Sequence, residues 1–172
     1  VEEEGRLNDP LLREMFVERV FCLRRYRDML ADGYDIGRLV EFHTRHKMLL
    51  LSHSRTHYDA MGRLVAHARE LPVTELFDRY QAEFMAALAH KTTPKRVADV
   101  LLHMLGHLKK VLDATDKQEM LTLIDRYRQG LVPLVVPLTL LGHHIRRHDI
   151  AYLREQVFLS PHPVELMLRN HV

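Results

Sequence analysis

Apolar residues recur with a helical period along this chain, most clearly in the segment Thr93-Pro94-Lys95-Arg96-Val97-Ala98-Asp99-Val100-Leu101-Leu102-His103-Met104-Leu105-Gly106-His107-Leu108-Lys109-Lys110-Val111. At about 100° per residue, its apolar side chains fall on one side of a helix and its basic side chains on the other. Thr93 followed by Pro94 is typical of a helix start, with a capping hydroxyl and a proline in the first turn. We therefore predict a helix that ends near Asp113. Its apolar side comprises Val97, Val100, Leu101, Met104, Leu105, Leu108 and Val111.

The same helical period recurs along the chain, and no segment requires a strand. Glycine and proline are scarce, with seven of each in 172 residues, and they fall at the ends of the periodic segments. This pattern predicts an all-α fold, a single compact helical domain of about seven or eight helices. The other predicted helices cover roughly residues 10–33, 36–52, 54–69, 73–90, 115–129, 138–148 and 149–157.

Two further helix starts rest on capping residues. Asp9 precedes Pro10, which predicts the start of the first helix, and Thr115-Asp116-Lys117-Gln118 has the spacing of a capping box for the sixth. Pro133 and Pro137 leave the start of the seventh helix open. The first helix should bury one stripe of side chains, namely Leu12, Met15, Phe16, Leu23, Tyr26 and Leu30.

Composition restricts the class of protein. The chain is 47% hydrophobic, enough for one core, and carries a net charge of +2 with 13 histidines that add positive charge below neutral pH. The single cysteine, Cys22, excludes an internal disulfide and predicts a reducing cytoplasm. No apolar run approaches the ~20 residues of a membrane span. We interpret residues 1–9 as a linker or N-terminal extension, residues 10–172 as the domain, and the whole as a piece of a longer polypeptide.

Basic side chains cluster in three regions. The helix quoted above carries Arg96, His103, His107 and Lys110 on its second side, and the seventh helix is predicted to carry His143, His144, Arg146 and Arg147 opposite its apolar side. Such groups suit phosphate oxygens. Two other interpretations stay open, a solvated helix face and ion pairs with carboxylates of the fold. The predicted nucleic-acid contacts are Arg45, Lys47, Arg55, His103, His107, Lys110, His143, His144, Arg146 and Arg147.

The second helix differs because its histidines share the apolar side. His46 and His53 lie seven residues apart with His43 nearby, so they form either a partly open pocket or a set of buried, hydrogen-bonded imidazoles. Arg19 interrupts the buried stripe of the first helix, so it is either an internally paired arginine or a pocket residue. Tyr58 either stacks on a base or is packed within the fold. His103 and His107 have a zinc-compatible spacing without further identifiable ligands, and Cys22 is read as a core thiol. No metal ligand and no catalytic residue is assigned.

Several motifs of the chain resemble the bacterial YbgA-like domain, a family of unknown function. The resemblance extends over essentially the whole sequence and rests on the segments Arg6–Arg13, Phe42–Lys47, His53-Ser54, Val132–Leu141 with the following His-His-x-Arg-Arg-His, and Leu168–His171. The family occurs alone or joined to the carboxyl side of a thiouracil-desulfidase-like domain. That partner domain holds an iron-sulfur cluster through cysteines that this chain does not have.

The resemblance implies action on thiolated uridine in transfer RNA, with this domain as the part that holds the RNA. We therefore expect a non-catalytic module that binds tRNA or another structured RNA and presents a base to a desulfidase-like partner. No cofactor is expected in this chain, and no membrane. Two alternatives remain: a protein-interaction module that stabilises a partner enzyme, and a small-anion-binding or catalytic protein that uses the histidines of the second helix.

Overall fold

A computed structural model describes residues 4–169. Within that range the chain has no β-strand and forms eight α-helices in one compact domain, which confirms the all-α prediction. Residues 1–3 of the predicted linker and Asn170-His171 of the terminal motif lie outside the described residues. The α-helices are α1 (Pro10–Leu30), α2 (Ile36–His53), α3 (Arg55–Ala66), α4 (Val73–Ala89), α5 (Pro94–His107), α6 (Ala114–Arg128), α7 (Val135–Arg147) and α8 (Ala151–Arg154), with 3-10 helices at Glu4–Asn8, Ala68–Glu70, Val157–Leu159 and Val164–Leu166.

Local capping explains where α1 and α5 begin. The Asp9 carboxylate accepts hydrogen bonds from the backbone N–H groups of Leu11 and Leu12, at 2.9 and 3.1 Å, and the Thr93 hydroxyl accepts one from the N–H of Arg96. Each cap satisfies a donor that has no partner within the helix. Both predicted starts are thus confirmed.

The predicted cap of α6 is wrong. Asp113 occupies the N-cap and accepts a hydrogen bond from the N–H of Asp116 at 2.8 Å, so Thr115 lies inside the first turn. Aspartate ranks among the best N-cap residues, and α5 ends early enough to leave Asp113 free for this role. The chain turns after His107, through hydrogen bonds such as Val111 N–H to Leu108 C=O at 3.0 Å.

Two other helices are shorter than predicted. The third ends at Ala66 and is followed by a separate 3-10 helix. The eighth was predicted from Asp149 to about Val157, yet α8 covers only Ala151–Arg154. Asp149 adopts a positive φ of 48°, a left-handed conformation that ends the preceding helix instead of starting a new one.

The buried face of α1 is rotated from the prediction. Met15 and Tyr26 are buried as expected, but Phe16 is 38% exposed, and two carboxylates outside the predicted stripe, Glu14 and Glu18, are buried. Glu14, Glu18, Cys22 and Tyr26 follow one another every four residues, which places them in one row along the helix. Buried partners described below compensate the two charges.

The core surrounds α2, which contacts α1, α3, α4 and α5. Tyr26 of α1, Phe42 of α2, and Tyr80 and Phe84 of α4 pack ring against ring, with centroid distances between 5.2 and 6.3 Å. The buried Tyr26 hydroxyl donates to the Phe77 carbonyl at 2.8 Å, so this polar group is satisfied within the aromatic cluster. On the other side, α5 packs on α6, and α6 packs on α7.

Hydropathy also bears on the membrane prediction. Among the described helices, none combines the length and the apolar character that crossing a bilayer requires.

Candidate functional site

A cleft between α2, α3 and α5 gathers several of the predicted cationic residues. Arg55, Arg96 and His103 line it together with Asp99, and the basic groups of His107 and Lys47 are near enough to His103 to lower its pKa. We call Lys47, Arg55, Arg96, His103 and His107 the cationic cleft. Lys47 and Arg55 lie on the consecutive helices α2 and α3, whereas the other three residues lie on α5, further along the chain. The fold brings these two segments together. The cavity has a volume of about 240 Å³.

The cleft has a positive local potential. The pKa of His103 is lowered from its ordinary value, first by partial burial and then by the charges of His107, Lys47 and Arg55. A bound anion would oppose these neighbouring charges and favour protonated His103. Arg55 forms an exposed ion pair with Asp59 at 2.9 Å. Exposed pairs are weak, so a phosphate can replace the Asp59 carboxylate as the partner of Arg55. Lys47 and His107 have no carboxylate within ion-pair distance among residues 4–169.

The remaining predicted contacts lie elsewhere. Arg45 lines a second cleft with Arg25 and Arg38 and lies 3.5 Å from the Glu41 carboxylate. Arg146 lines a third cleft. Lys110, His143 and Arg147 are exposed. The fold therefore divides the predicted nucleic-acid contacts among several surfaces and concentrates them most at the cationic cleft.

His144 is the contact that the structure corrects. The sequence pattern placed it opposite the apolar side of α7, but only 2% of it is exposed. Three residues along a helix correspond to a rotation that leaves His144 about 60° from Leu141, at the flank of the apolar stripe. Its Nδ1 lies 4.0 Å from the Asp116 carboxylate of α6, and its ring stacks on that of His148. It cannot contact an external phosphate in this conformation.

His43 and His46 of α2 have different partners. His43 is hydrogen-bonded to the Tyr80 hydroxyl at 3.1 Å and stacks on Tyr58. His46 donates from Nδ1 to the Phe42 carbonyl at 2.8 Å and borders the cleft of Arg45. Burial, and to a smaller extent nearby positive charge, lowers the pKa of His43 to about 4. The pKa of His46 falls to about 3 for the same main reason, burial, against its backbone hydrogen bond. Both rings are neutral at pH 7.

Arg19 and the histidine pair with zinc-compatible spacing, His103 and His107, have few polar partners. Arg19 is half-buried and its Nε has no hydrogen-bond partner among the described residues. His103 and His107 lie with ring centroids 5.3 Å apart, but residues 4–169 contain no group of three His, Cys, Asp or Glu side chains that could share a metal ion.

A buried ion network between α1, the end of α2 and Arg169 was not predicted. His53 Nε2 lies 2.5 Å from Glu18 Oε1, and its Nδ1 donates to the His90 carbonyl at 2.7 Å. Arg169 donates from Nε to Glu14 Oε1 at 3.0 Å and from Nη1 to the Phe158 carbonyl at 2.6 Å. All four charged residues are at most 9% exposed. The row of Glu14 and Glu18 on the side of α1 that also carries Cys22 and Tyr26 was the sequence signal for it.

The network holds its charges through mutual stabilisation. Burial alone would raise the pKa of Glu18, but the charge and the hydrogen bond of His53 lower it below its ordinary value. Burial likewise opposes the charge on His53, yet Glu18 raises the pKa of the imidazole. Both ring nitrogens of His53 face acceptors, which is the arrangement of an imidazolium. Burial, more than any neighbour, raises the pKa of Glu14.

The fold and these sites define an all-helical domain with a cationic cleft and a buried ion network. The chain belongs to the family described as "Protein of unknown function (DUF1722)", which matches residues 47–163. It is also 29% identical over 153 residues to "Uncharacterized protein YbgA" of Escherichia coli (strain K12), covering 88% of this chain and 90% of that protein. No solved structure matches the chain.

Proposed function

We propose that this domain binds structured RNA, with tRNA as the leading candidate, through the phosphate backbone and at the cationic cleft. The observation that carries the proposal is that Arg55 from α3 and His103 from α5 line one cleft, while Lys47 from α2 and His107 from α5 are near enough to His103 to lower its pKa. Lysine and arginine side chains that neutralise phosphates release counterions, which provides most of the affinity for a nucleic acid. Backbone contacts of this kind position an RNA without reading its sequence.

We expect the domain to act together with a desulfidase-like domain. In a polypeptide or complex that contains a desulfidase-like domain, the module would hold tRNA so that a thiolated uridine reaches the iron-sulfur chemistry of the partner. Such a role belongs to the bacterial cytoplasm, where tRNA is found. Its residues would act by positioning, and the chemistry would remain with the partner.

A pair of double variants tests the cationic cleft. Lys47→Ala with Arg55→Ala removes two positive charges from the cleft, and Arg24→Ala with Arg27→Ala removes two from exposed positions of α1. We expect the first pair to weaken binding of an unmodified tRNA transcript, and to lower the slope of log K against log salt by about 1.4 to 1.8. The α1 pair should leave the slope unchanged, and circular dichroism verifies that all variants are folded.

The direction of the pH dependence follows from His103. Its lowered pKa leaves the free imidazole mostly neutral near pH 7, and phosphate binding favours its charged form. The affinity for tRNA should therefore rise as the pH falls from 7.5 to 6, and less so in a His103→Ala variant.

The salt titration decides on the cleft itself. If the Lys47/Arg55 variant and the Arg24/Arg27 variant bind tRNA equally well at every salt concentration, the cleft is not the contact surface.

A third double variant separates the clefts. Arg146→Ala with Arg147→Ala alters α7, where the sequence had also predicted RNA contacts. A loss of binding confined to this pair would move the interface to α7 and refute the role of the cationic cleft. The protein-interaction alternative predicts instead that every cationic variant retains wild-type RNA affinity.

A further inference from the structure

A partly enclosed cavity lies directly above the buried ion network. Glu14, Glu18 and Arg169 form its polar floor, and Met15, Val97 and Phe158 belong to its apolar walls. The exposed residues Pro94 and Gly130 mark its opening, between the start of α5 and the turn after α6. Its volume is about 200 Å³, and an apolar cavity of about 150 Å³ can hold benzene. A substituted six-membered ring therefore fits.

The charges of the floor select against a charged ligand. Glu18 and His53 form one buried ion pair, and Glu14 and Arg169 form another. The four groups balance each other, so a ligand that brings a net charge would lose its hydration without gaining an unpaired partner. The apolar walls would add to that cost. The cavity is suited to a neutral molecule.

The floor also presents a hydrogen-bond donor beside an acceptor. Arg169 Nη2 and Glu18 Oε2 lie 3.6 Å apart, which exceeds the length of a hydrogen bond. The Glu18 oxygen that His53 contacts is the other one, and the hydrogen bonds of Arg169 leave from Nε and Nη1. A ligand group that accepts from the guanidinium and donates to the carboxylate would satisfy both atoms at once.

We propose that this cavity, the Arg169 cavity, is a binding site for a small neutral ring that carries an N–H donor and a carbonyl acceptor side by side, the pattern of a lactam or cyclic amide. The carbonyl accepts from Arg169 Nη2, the N–H donates to Glu18 Oε2, and the ring packs on Met15, Val97 and Phe158. Such a site is mostly apolar with a few convergent polar groups, the usual composition of a small-molecule pocket. It is independent of the RNA proposal, because it uses different residues.

The probe for this site is 2-pyridone, a neutral ring with the required donor and acceptor. Fluorobenzene matches its ring without the polar edge, whereas benzoate and benzylammonium carry a charge of either sign. A ligand-detected NMR titration of the whole chain should give the tightest binding for 2-pyridone. The loss of one well-formed polar contact corresponds to about a tenfold weaker affinity. Fluorobenzene lacks both contacts, so we expect it to bind about a hundredfold more weakly than 2-pyridone, and the two charged probes to bind more weakly still.

Two neighbouring variants test the location. Val132 lines the cavity and is half-buried, whereas Leu131 beside it is 66% exposed and is not one of the lining residues. Val132→Phe should obstruct the cavity and weaken 2-pyridone binding by about tenfold or more, while Leu131→Phe should leave it unchanged. Arg169→Met should weaken 2-pyridone but retain the affinity for fluorobenzene.

The rival explanation is that the network serves only to attach residue 169 to α1. In that case 2-pyridone does not bind, or it binds no better than fluorobenzene, and the proposal fails. Equal affinity of Val132→Phe and wild type would also overturn it, as would tighter binding of either charged probe. Because Val132→Phe leaves every charged group in place, its outcome does not depend on whether the Arg169 variant folds.

Discussion

The Glu18→Gln substitution is the sharpest test of the buried network. Glu18 accepts from His53 at 2.5 Å and faces Arg169 at 3.6 Å, and the two cations are as buried as the carboxylate. Glutamine keeps the shape and removes the charge, so a buried imidazolium and a guanidinium lose their shared counter-charge. Breaking a buried ion pair from one side costs about 3 to 5 kcal/mol, a large part of the roughly 5 to 15 kcal/mol that stabilises a domain.

The matched control is an exposed pair. Arg55 and Asp59 lie 2.9 Å apart on one face of α3, with side chains 75% and 43% exposed. Asp59→Asn should cost only about 0.3 to 0.5 kcal/mol, because solvent screens the pair. In urea unfolding followed by circular dichroism, with a slope of about 2 kcal/mol per molar, Glu18→Gln should lower the midpoint by about 1.5 to 2.5 M. The control should shift it by about 0.2 M.

The pH dependence supplies a second readout. A lowered pKa of Glu18 contributes stability above pH 4.5 that is lost as the pH falls through the folded-state pKa. A raised pKa of His53 contributes stability below pH 6.5 that is lost as the pH rises through its folded-state pKa. The difference in unfolding free energy between wild type and Glu18→Gln should thus be largest between pH 4.5 and 6.5. A difference as small as the control's, or one that does not vary with pH, would refute the network's role.

Two smaller predictions concern helix ends and glycines, both measured by urea unfolding. Asp113→Ala should lower the free energy of unfolding by about 1 kcal/mol because it removes the N-cap of α6, whereas Thr115→Ala should lower it clearly less. Equal losses would instead favour a capping box that begins at Thr115. Gly130→Ala should destabilise the domain by about 1 to 2 kcal/mol because φ is +74° there. Gly106→Ala should stabilise it by about 0.4 to 1 kcal/mol, because Gly106 lies in the last turn of α5 with open space around the added methyl. We therefore expect the two substitutions to change the free energy of unfolding in opposite directions.

The features that could be predicted from the sequence are local ones. Asp9 and Thr93 cap helices whose first turns contain a proline, and the donor and acceptor are at most three residues apart. The two sides of α5 follow from the helical period alone, and its predicted apolar positions are buried except for Val111, which lies beyond the helix end. Such contacts depend on neighbouring residues only, so a pattern in one segment describes them fully.

The network could not be predicted because its partners are far apart in the chain. Glu18 and His53 are separated by 35 positions and Glu14 and Arg169 by 155. Periodicity treats an acidic residue as a sign of solvent, and it assigned Phe16 to the interior instead. Pairing reverses this preference, since a carboxylate with a buried cationic partner can replace an apolar side chain in the core. Only the tertiary fold shows which carboxylates have such partners.

The two sites share the junction between the end of α2 and the start of α5. Val97 faces the Arg169 cavity while Arg96, next to it, lines the cationic cleft, and a guanidinium nitrogen of Arg96 donates to the backbone carbonyl of His53. His53 in turn holds Glu18 on the cavity floor. A substitution of Arg96 would therefore disturb both sites at once, and a change in RNA affinity could not be assigned to lost phosphate contact. Lys47 and Arg55 carry the same charge without this connection, so an effect of their removal on RNA binding belongs to the cleft.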